Sequence, residues 1–183
     1  LQPSSAEFVE KASGIKARYV MNKSGILDPE RMVPWLPERP NEAQSVQCEM
    51  AVTAAHECLA QAGRSAADVD AVIVAASNMQ RPYPAMAVEI QDALGIQGYA
   101  FDMNVACSSA TFGIQQGRDA ILAGSADCVL MLNPEICSGH LNFRDRDSHF
   151  IFGDVCTAVL MERAESSVSA DRYRVVDTRL QTI

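Results

Sequence analysis

Two unbroken apolar runs predict strands that are buried on both faces of a sheet. Residues 70–76 and 127–132 are apolar at nearly every position, as the central strands of parallel sheets are. A third strand is predicted over residues 101–106, where apolar and polar residues alternate. The sequence therefore predicts a sheet whose central strands are covered on both faces.

Helical spacing of apolar residues occurs in two further stretches, and a glycine follows each of them. Residues 41–62 carry a stripe rich in small residues, and we expect Asn41 to cap this helix and Gly63 to end it. Residues 85–94 predict a second helix that ends at Gly95. The abundance of small residues in the first helix indicates that another element packs close to it.

The end of the chain predicts two more strands, over residues 155–161 and 174–180, joined by a polar turn at 164–171. So short a connection predicts an antiparallel pair. Alternating strands and helices before it predict a parallel arrangement. The expected fold class is therefore α/β, with a five-stranded mixed sheet between helices in one domain over residues 1–183.

The stretch 100–114 is the one around which the other elements are organised, because its strand runs into a helix with almost no loop. Cys107 stands at the joint, and Ser108 and Ser109 suit the first turn of a helix. The unpaired N–H groups there favour a thiolate, the reactive form of cysteine. From this pattern alone Cys107 is either a nucleophile or a small buried apolar residue.

Composition narrows the classes of function. The formal net charge of −8 disfavours nucleic acid as the main partner, because phosphate binding needs a basic surface. No apolar run approaches the roughly 20 residues that span a bilayer, and no signal peptide is visible, so we expect no membrane partner and a cytoplasmic location.

Five of the six cysteines stand in apolar strand-like or helical contexts, which is typical of reduced thiols in a cytosolic protein. Cys48, His56 and Cys58 do not match a usual zinc spacing, so no metal site is predicted. A redox-sensing role is disfavoured because the chain has no Cys-x-x-Cys pair.

Four segments together resemble a known family. Residues 101–110, Phe-Asp-Met-Asn-Val-Ala-Cys-Ser-Ser-Ala, resemble the nucleophile segment of β-ketoacyl-acyl-carrier-protein synthase III, a condensing enzyme of the thiolase fold. Residues 14–18 resemble that family's early Gly-Ile-Arg-x-Arg turn, and residues 68–75 resemble its first-half strand. Residues 145–160 resemble its Asp-Arg…Phe-Gly-Asp-Gly-Ala…Ala-Val-Leu stretch.

The resemblance implies an acyltransferase of fatty-acid synthesis that needs no cofactor. It implies that Cys107 takes an acyl group from acyl-coenzyme A, and that decarboxylated malonyl-acyl carrier protein then attacks the thioester. A cysteine is suited to this step because it is both a good nucleophile and a good leaving group.

The resemblance also assigns roles to four other residues. Phe152 and Gly153 match residues that shape the acyl pocket, and Arg146 matches an arginine on the coenzyme side. Tyr83 occupies the place from which an aromatic residue reaches the pocket of a neighbouring subunit. A homodimer is therefore implied, with acyl-coenzyme A and acyl carrier protein as the other partners.

The sequence also departs from the family pattern. The family needs a His and an Asn from the second half of its fold, and neither stands here in a matching context. We therefore expect the chain to be the N-terminal half, inactive alone, with the C-terminal half absent. The coenzyme-stacking Trp expected near residues 7–8 is missing. The stretches 78–84 and 139–147 resemble a branch that accepts medium-chain acyl groups.

Two alternatives stay open at this point. Thiolases, hydroxymethylglutaryl-CoA synthases and polyketide synthases share a cysteine between a strand and a helix, so Cys107 alone does not exclude them. A non-catalytic acyl-binding or dimerisation module would contain the same helices with an inert Cys107.

Overall fold

The computed structural model describes residues 4–182. Its α-helices are α1 (Ala6–Ser13), α2 (Val46–Ala62), α3 (Met86–Leu94) and α4 (Ser109–Ala123). Its strands are β1 (Ala71–Ala75), β2 (Tyr99–Met103), β3 (Cys128–Ile136) and β4 (Asp154–Glu162). Short 3-10 helices occupy Ala66–Asp68 and Cys137–Gly139.

The chain divides into two compact units. The first contains residues 1–43 and 135–155, and the second contains residues 44–134 and 156–183. Helix α1 belongs to the first unit, and helices α2 to α4 belong to the second with most of the sheet.

The sheet has four strands in the order β2-β1-β3-β4. Strand β1 pairs in parallel with both β2 and β3, so the predicted parallel centre is confirmed. The prediction of a fifth strand over residues 174–180 is wrong, because this segment has no regular secondary structure. Residues that favour strands, such as Val175, Val176 and Thr178, do not form one unless a partner strand accepts and donates the backbone hydrogen bonds.

The second unit buries apolar side chains on both faces of β1. Val72 and Val74 pack among residues of α2 and α3, whereas Ile73 packs with residues of α4 on the opposite face. All five residues of β1 are buried, as the unbroken apolar run predicted. Helices therefore cover both faces, and the α/β class is confirmed.

Helix α4 lies close to the sheet because two glycines face it. A β-carbon at Gly113 would collide with the sulfur of Met131, and one at Gly117 would collide with the end of Met161. The helix that begins next to Cys107 thus packs against methionine side chains of β3 and β4 at a distance that only glycine allows without a shift of those side chains.

Helix α2 begins later than predicted. Its N-cap is Ser45 and not Asn41, since the Ser45 hydroxyl accepts a hydrogen bond from the Cys48 amide at 3.1 Å. The backbone amide and hydroxyl of Ser45 both donate to the carboxylate of Glu89 on α3, at 2.7 and 2.8 Å. A tertiary contact therefore selects the cap among several suitable residues. Gly63 and Gly95 end their helices in the left-handed conformation, as predicted.

The first unit contains a buried carboxylate that joins three of its segments. Asp154 accepts hydrogen bonds from the amide of Met21 at 2.7 Å and from the amide and hydroxyl of Ser138 at 2.8 and 2.7 Å. The Asp154 amide donates to the carbonyl of Tyr19 at 2.8 Å. A fully paired buried carboxylate of this kind fixes the segments that bind it.

Candidate active site

Cys107 lies between the end of β2 at Met103 and the start of α4 at Ser109, as the sequence predicted. Its side chain is exposed, unlike the buried thiols of Cys48 and Cys128. The interpretation of Cys107 as a small buried apolar residue is therefore wrong. An exposed thiol at a strand-to-helix junction is accessible to a reagent or a substrate.

The turn that carries Cys107, residues 104–109, has a strained backbone. Ala106 adopts a φ of +48°, in the left-handed region that residues with a β-carbon rarely occupy. Such a conformation costs roughly 1–2 kcal/mol for an alanine. We call residues 104–109 the Cys107 turn.

Two polar side chains bind the backbone of the Cys107 turn. The hydroxyl of Ser109 accepts from the Val105 amide at 2.8 Å and donates to the Ala106 carbonyl at 2.7 Å. The side-chain oxygen of Asn104 accepts from the Ala106 amide at 2.8 Å, and its amide group donates to the carbonyl of Ser77 at 2.8 Å. The residue before Cys107 is thus hydrogen-bonded at both its amide and its carbonyl.

The start of α4 has no side chain over its first amides. Ser108 is the N-cap, but its hydroxyl makes no capping hydrogen bond, and the first helical residue, Ser109, directs its hydroxyl back toward Val105 and Ala106. The positive end of the helix dipole is therefore not neutralised by a side-chain cap beside Cys107.

Four other thiols, two of them buried and two half-buried, are poor nucleophiles at neutral pH. Burial raises the pKa of Cys128 and of Cys156 to about 12, from an ordinary value of 9.0. Burial also raises the pKa of Cys48 to about 11 and shifts the pKa of Cys58 upward. Because the thiolate is the reactive form, these four cysteines are not candidates for the nucleophile.

Tyr83 lies on the loop between β1 and α3 and is 90% exposed. The loop is fixed by Gln47, a buried residue of α2 whose amide group donates to the carbonyls of Asn78 and Pro134 at 2.8 and 3.0 Å. The side-chain oxygen of Gln47 accepts from the Gln80 amide. A rigid loop thus presents an aromatic ring to solvent.

Arg146 lies in the first unit near Phe8 of α1. Its guanidinium carbon is 5.7 Å from the centroid of the Phe8 ring, within the range of a cation–π interaction. Helix α1, which the sequence analysis did not predict, begins at the N-cap Ser5 and ends at Gly14, whose φ is +75°. Phe8 stands where the resemblance led us to expect a coenzyme-stacking Trp, so an aromatic ring is present at that place.

Phe152 and Gly153 also lie in the first unit. The partly exposed ring of Phe152 lines a groove of about 300 Å³ with apolar residues that include Val9, Val20 and Phe150. A β-carbon at Gly153 would lie 2.7 Å from the carbonyl oxygen of Tyr19, so only glycine fits there without a backbone shift. Phe152 thus adds an apolar ring to the groove, and Gly153 allows its backbone to pass close to that of Tyr19.

Among residues 4–182, no three His, Cys, Asp or Glu side chains form a group able to hold a metal ion. In the same described part of the chain, no helix is both long and apolar enough to cross a membrane.

Four residues with a place in this geometry were missed by the sequence analysis. Asn104 and Ser109 were seen only as a strand residue and a helix-start residue, and Asp154 was seen only as part of a motif. Phe8 was considered only as the place where the expected coenzyme-stacking Trp is missing. The contacts of Asn104, Ser109 and Asp154 involve residues that are distant in sequence or depend on the turn geometry. Helix α1, which carries Phe8, could have been predicted from the spacing of its two caps, Ser5 and Gly14.

Comparison with known proteins finds similarity to acyl-carrier-protein synthases. The family described as 3-oxoacyl-[acyl-carrier-protein] synthase III matches residues 101–182. A β-ketodecanoyl-[acyl-carrier-protein] synthase of Pseudomonas aeruginosa is 69% identical over 182 residues, which is 100% of this chain and 52% of the relative. A β-ketoacyl-[acyl-carrier-protein] synthase III of Acidiphilium cryptum is 39% identical over 134 residues, covering 73% of this chain and 41% of the relative.

A solved structure agrees with these relatives. The crystal structure of 3-oxoacyl-[acyl-carrier-protein] synthase III from Aquifex aeolicus superposes with a TM-score of 0.71 at 28% identity, over 88% of this chain and 46% of the other. The predicted thiolase-like fold is therefore confirmed. The chain spans about half the length of the curated relatives it matches.

Proposed function

The chain belongs to the 3-oxoacyl-[acyl-carrier-protein] synthase III family, and from this premise we propose that the whole protein is a β-ketoacyl-acyl-carrier-protein synthase with Cys107 as its nucleophile. The observation that carries the proposal is the exposed thiol on a strained turn at the uncapped start of α4. The substrates are acyl-coenzyme A and malonyl-acyl carrier protein.

The proposed reaction has two covalent stages. The thiolate of Cys107 attacks the thioester carbonyl of acyl-coenzyme A, the acyl group moves to sulfur, and coenzyme A leaves as a thiolate. Malonyl-acyl carrier protein then loses CO2, and the resulting carbanion attacks the acyl-cysteine carbonyl and expels the Cys107 thiolate. The backbone amide of Cys107 supplies one donor for the oxyanion that forms in both attacks.

The second stage needs groups that stabilise the charge formed on decarboxylation. The resemblance assigns this work to a His and an Asn of the C-terminal half. We propose that the present chain is the N-terminal half, which supplies the nucleophile and the coenzyme side, and that it is inactive without the other half.

Arg146 and Phe8 are proposed to bind the coenzyme. A guanidinium above an aromatic ring combines a cation, which attracts phosphate, with flat surfaces on which a purine stacks. Phe8 takes the stacking role that the resemblance gives to a Trp. The missing Trp therefore does not exclude coenzyme A as the acyl donor.

The acyl group is proposed to be of medium length. The Pseudomonas relative is named for a β-ketodecanoyl product, and condensation adds the two carbons that malonyl retains after decarboxylation. The acyl group transferred by such an enzyme is therefore octanoyl. We propose the same preference here, with Phe152 and Gly153 shaping the acyl pocket.

A homodimer is proposed from the surface of the second unit. Strand β2 is an edge strand of the described sheet, and its Tyr99 and Phe101 are both more than one-third exposed, with ring centroids 6.5 Å apart. An edge strand with exposed aromatic residues favours pairing with another chain. Tyr83, in the same unit, would then reach the pocket of the neighbouring subunit. A cytoplasmic location is proposed with this activity.

The test is a condensation assay on the full-length protein with malonyl-acyl carrier protein and a series of acyl-coenzyme A donors. We expect β-ketodecanoyl-acyl carrier protein from octanoyl-coenzyme A, and no product from Cys107→Ala. A strong preference for acetyl-coenzyme A would contradict the chain-length proposal. Absence of product from every donor would contradict the synthase proposal, as would an unchanged rate in the variant.

A further inference from the structure

The strained conformation of Ala106 needs a local cause. An alanine leaves the left-handed region unless the surrounding structure holds it there. Residues 104–109 connect β2 to α4 by an abrupt change of direction, and the side chain of Cys107 follows directly after the strained residue. Whatever holds Ala106 therefore also sets the orientation of Cys107.

Ser109 is placed to hold it. The residue is only 2% exposed, and its hydroxyl joins the amide of Val105 to the carbonyl of Ala106, the two backbone groups on either side of the Val105–Ala106 segment. Among residue types of similar size, only serine and threonine carry a hydroxyl, which is a full donor and acceptor on one atom. Loss of the hydroxyl would leave the Val105 amide without this acceptor.

Asn104 binds the amide of Ala106, whereas Ser109 binds its carbonyl. Its carbonyl oxygen accepts from the Ala106 amide, while its amide group is fixed to the Ser77 carbonyl at the end of the β1 segment. The side chain therefore ties the Cys107 turn to the sheet. Together with Ser109 it binds both polar backbone groups of Ala106.

If these bonds were absent, Ala106 would relax toward a conformation with negative φ, and the following residue would rotate. The sulfur of Cys107 would then lose its orientation relative to the first amides of α4. Both its reactivity and its alignment with a bound thioester depend on that orientation.

We propose that Ser109 and Asn104 are positioning residues that hold Ala106 at positive φ and thereby keep the Cys107 sulfur at the start of α4, oriented for acylation. The inference rests on the proposed role of Cys107 as the nucleophile. It adds two residues whose side chains act through the backbone and not on the substrate.

The experiment measures two rates in the full-length protein, alkylation of Cys107 by iodoacetamide as a function of pH and acylation of Cys107 by octanoyl-coenzyme A in a single turnover. Cys107→Ala gives the background from other thiols. The variants are Ser109→Ala, Ser109→Thr and Asn104→Ala. Ser108→Ala is the matched control, because it removes a neighbouring hydroxyl that makes no capping hydrogen bond.

For Ser109→Ala we expect alkylation of Cys107 at pH 7 to slow by about tenfold. Acylation at saturating donor should fall by a similar factor, while the half-saturating donor concentration stays the same. Ser109→Thr should keep most of both rates, and Ser108→Ala should stay within about twofold of the wild type. Asn104→Ala, at an exposed position, should shift both rates in the same direction as Ser109→Ala.

One further variant tests the route of the effect. Glycine adopts positive φ without steric cost, so Ala106→Gly in the Ser109→Ala background should recover part of the lost rate. No recovery would overturn the claim that Ser109 acts through Ala106.

Thermal melting shows whether each variant is folded. Equal rates and pH profiles for folded Ser109→Ala and Ser108→Ala would overturn the proposal. Should Ser109→Ala not fold, wild-type rates in Asn104→Ala would overturn it, and slower rates would support it. A further outcome is that the variants differ in alkylation rate as predicted while no acylation of the wild type is detected. In that case the synthase proposal fails and the positioning inference stands.

Discussion

The guanidinium carbon of Arg146 lies 5.7 Å from the centroid of the Phe8 ring. The contact joins a residue that the sequence resemblance assigned to the coenzyme side with a helix that the sequence analysis did not predict. It gives the proposed acyl donor a flat aromatic surface beside a positive charge.

Removal of this aromatic ring should weaken binding of the acyl donor. For Phe8→Ala in the full-length protein we expect the KM for octanoyl-coenzyme A to rise about fivefold, since a cation–π or stacking contact at an exposed site contributes about 1 kcal/mol. The kcat should change little, because the proposed role of the ring is to bind the coenzyme and not to take part in the acyl transfer. Phe8→Trp should keep the wild-type KM. The control is Tyr19→Ala, which removes an exposed ring of the same unit; an equal rise in both variants would contradict the assignment.

Gly153 should not tolerate a β-carbon. For Gly153→Ala we expect a loss of about 1–3 kcal/mol in the free energy of unfolding, because the methyl group would meet the Tyr19 carbonyl oxygen and force a backbone shift. Urea denaturation measures the loss. Gly139→Ala is the control, since a β-carbon there meets only the end of the Leu36 side chain at 3.3 Å. Equal stability of the two variants would show that the close approach at Gly153 relaxes without cost.

The buried carboxylate of Asp154 should contribute to stability. Asp154→Ala leaves the amide and hydroxyl of Ser138 and the amide of Met21 without their acceptor, so we expect a loss of about 2–4 kcal/mol. Asp147→Ala removes an exposed carboxylate from the same unit and should cost less than about 0.5 kcal/mol. Chemical denaturation measures the free energy of unfolding of both variants. Equal losses would contradict the prediction and would mean that water replaces the buried carboxylate without cost.

The buried thiols predict a pH dependence. The pKa of Cys48 is raised to about 11, and the pKa values of Cys128 and Cys156 are raised to about 12, from 9.0 in an unburied thiol. Below pH 9 these thiols are protonated in both the folded and the unfolded state. Above pH 9 they ionise first in the unfolded state, up to about pH 11 for Cys48 and about pH 12 for Cys128 and Cys156, so stability should fall as the pH rises through this range.

The same thiols should react slowly while the protein is folded. At pH 8.5 we expect Cys48 to be alkylated about 100-fold more slowly than in urea-unfolded protein, and Cys128 and Cys156 to be slowed by a larger factor. Peptide mass spectrometry after timed iodoacetamide treatment identifies the modified residues. Labelling of Cys128 before Cys107 in the folded protein would contradict the burial described here.

The elements that follow from local sequence were predicted well. The apolar run of β1, the glycines that end α2 and α3, and the joint at Cys107 each depend on residues that are adjacent in the chain. Cys107 was therefore placed correctly at the end of a strand and the start of a helix.

The elements that depend on distant partners were not predicted. The N-cap of α2 is Ser45 because Glu89 of α3 binds it, and nothing near Asn41 reveals that contact. Residues 174–180 include β-branched residues that favour a strand but have no strand structure, because local composition does not supply a pairing partner. The roles of Asn104 and Ser109 arise from a left-handed alanine that sequence patterns do not indicate.

The central claim is that Cys107 accepts the acyl group. The direct measurement is the intact mass of the full-length protein after incubation with acetyl-, octanoyl- and decanoyl-coenzyme A, beside Cys107→Ala. The account predicts one acyl adduct on the wild type, most abundant with octanoyl-coenzyme A, and none on the variant. An adduct of equal abundance on Cys107→Ala, or no adduct on the wild type with any donor, would contradict it.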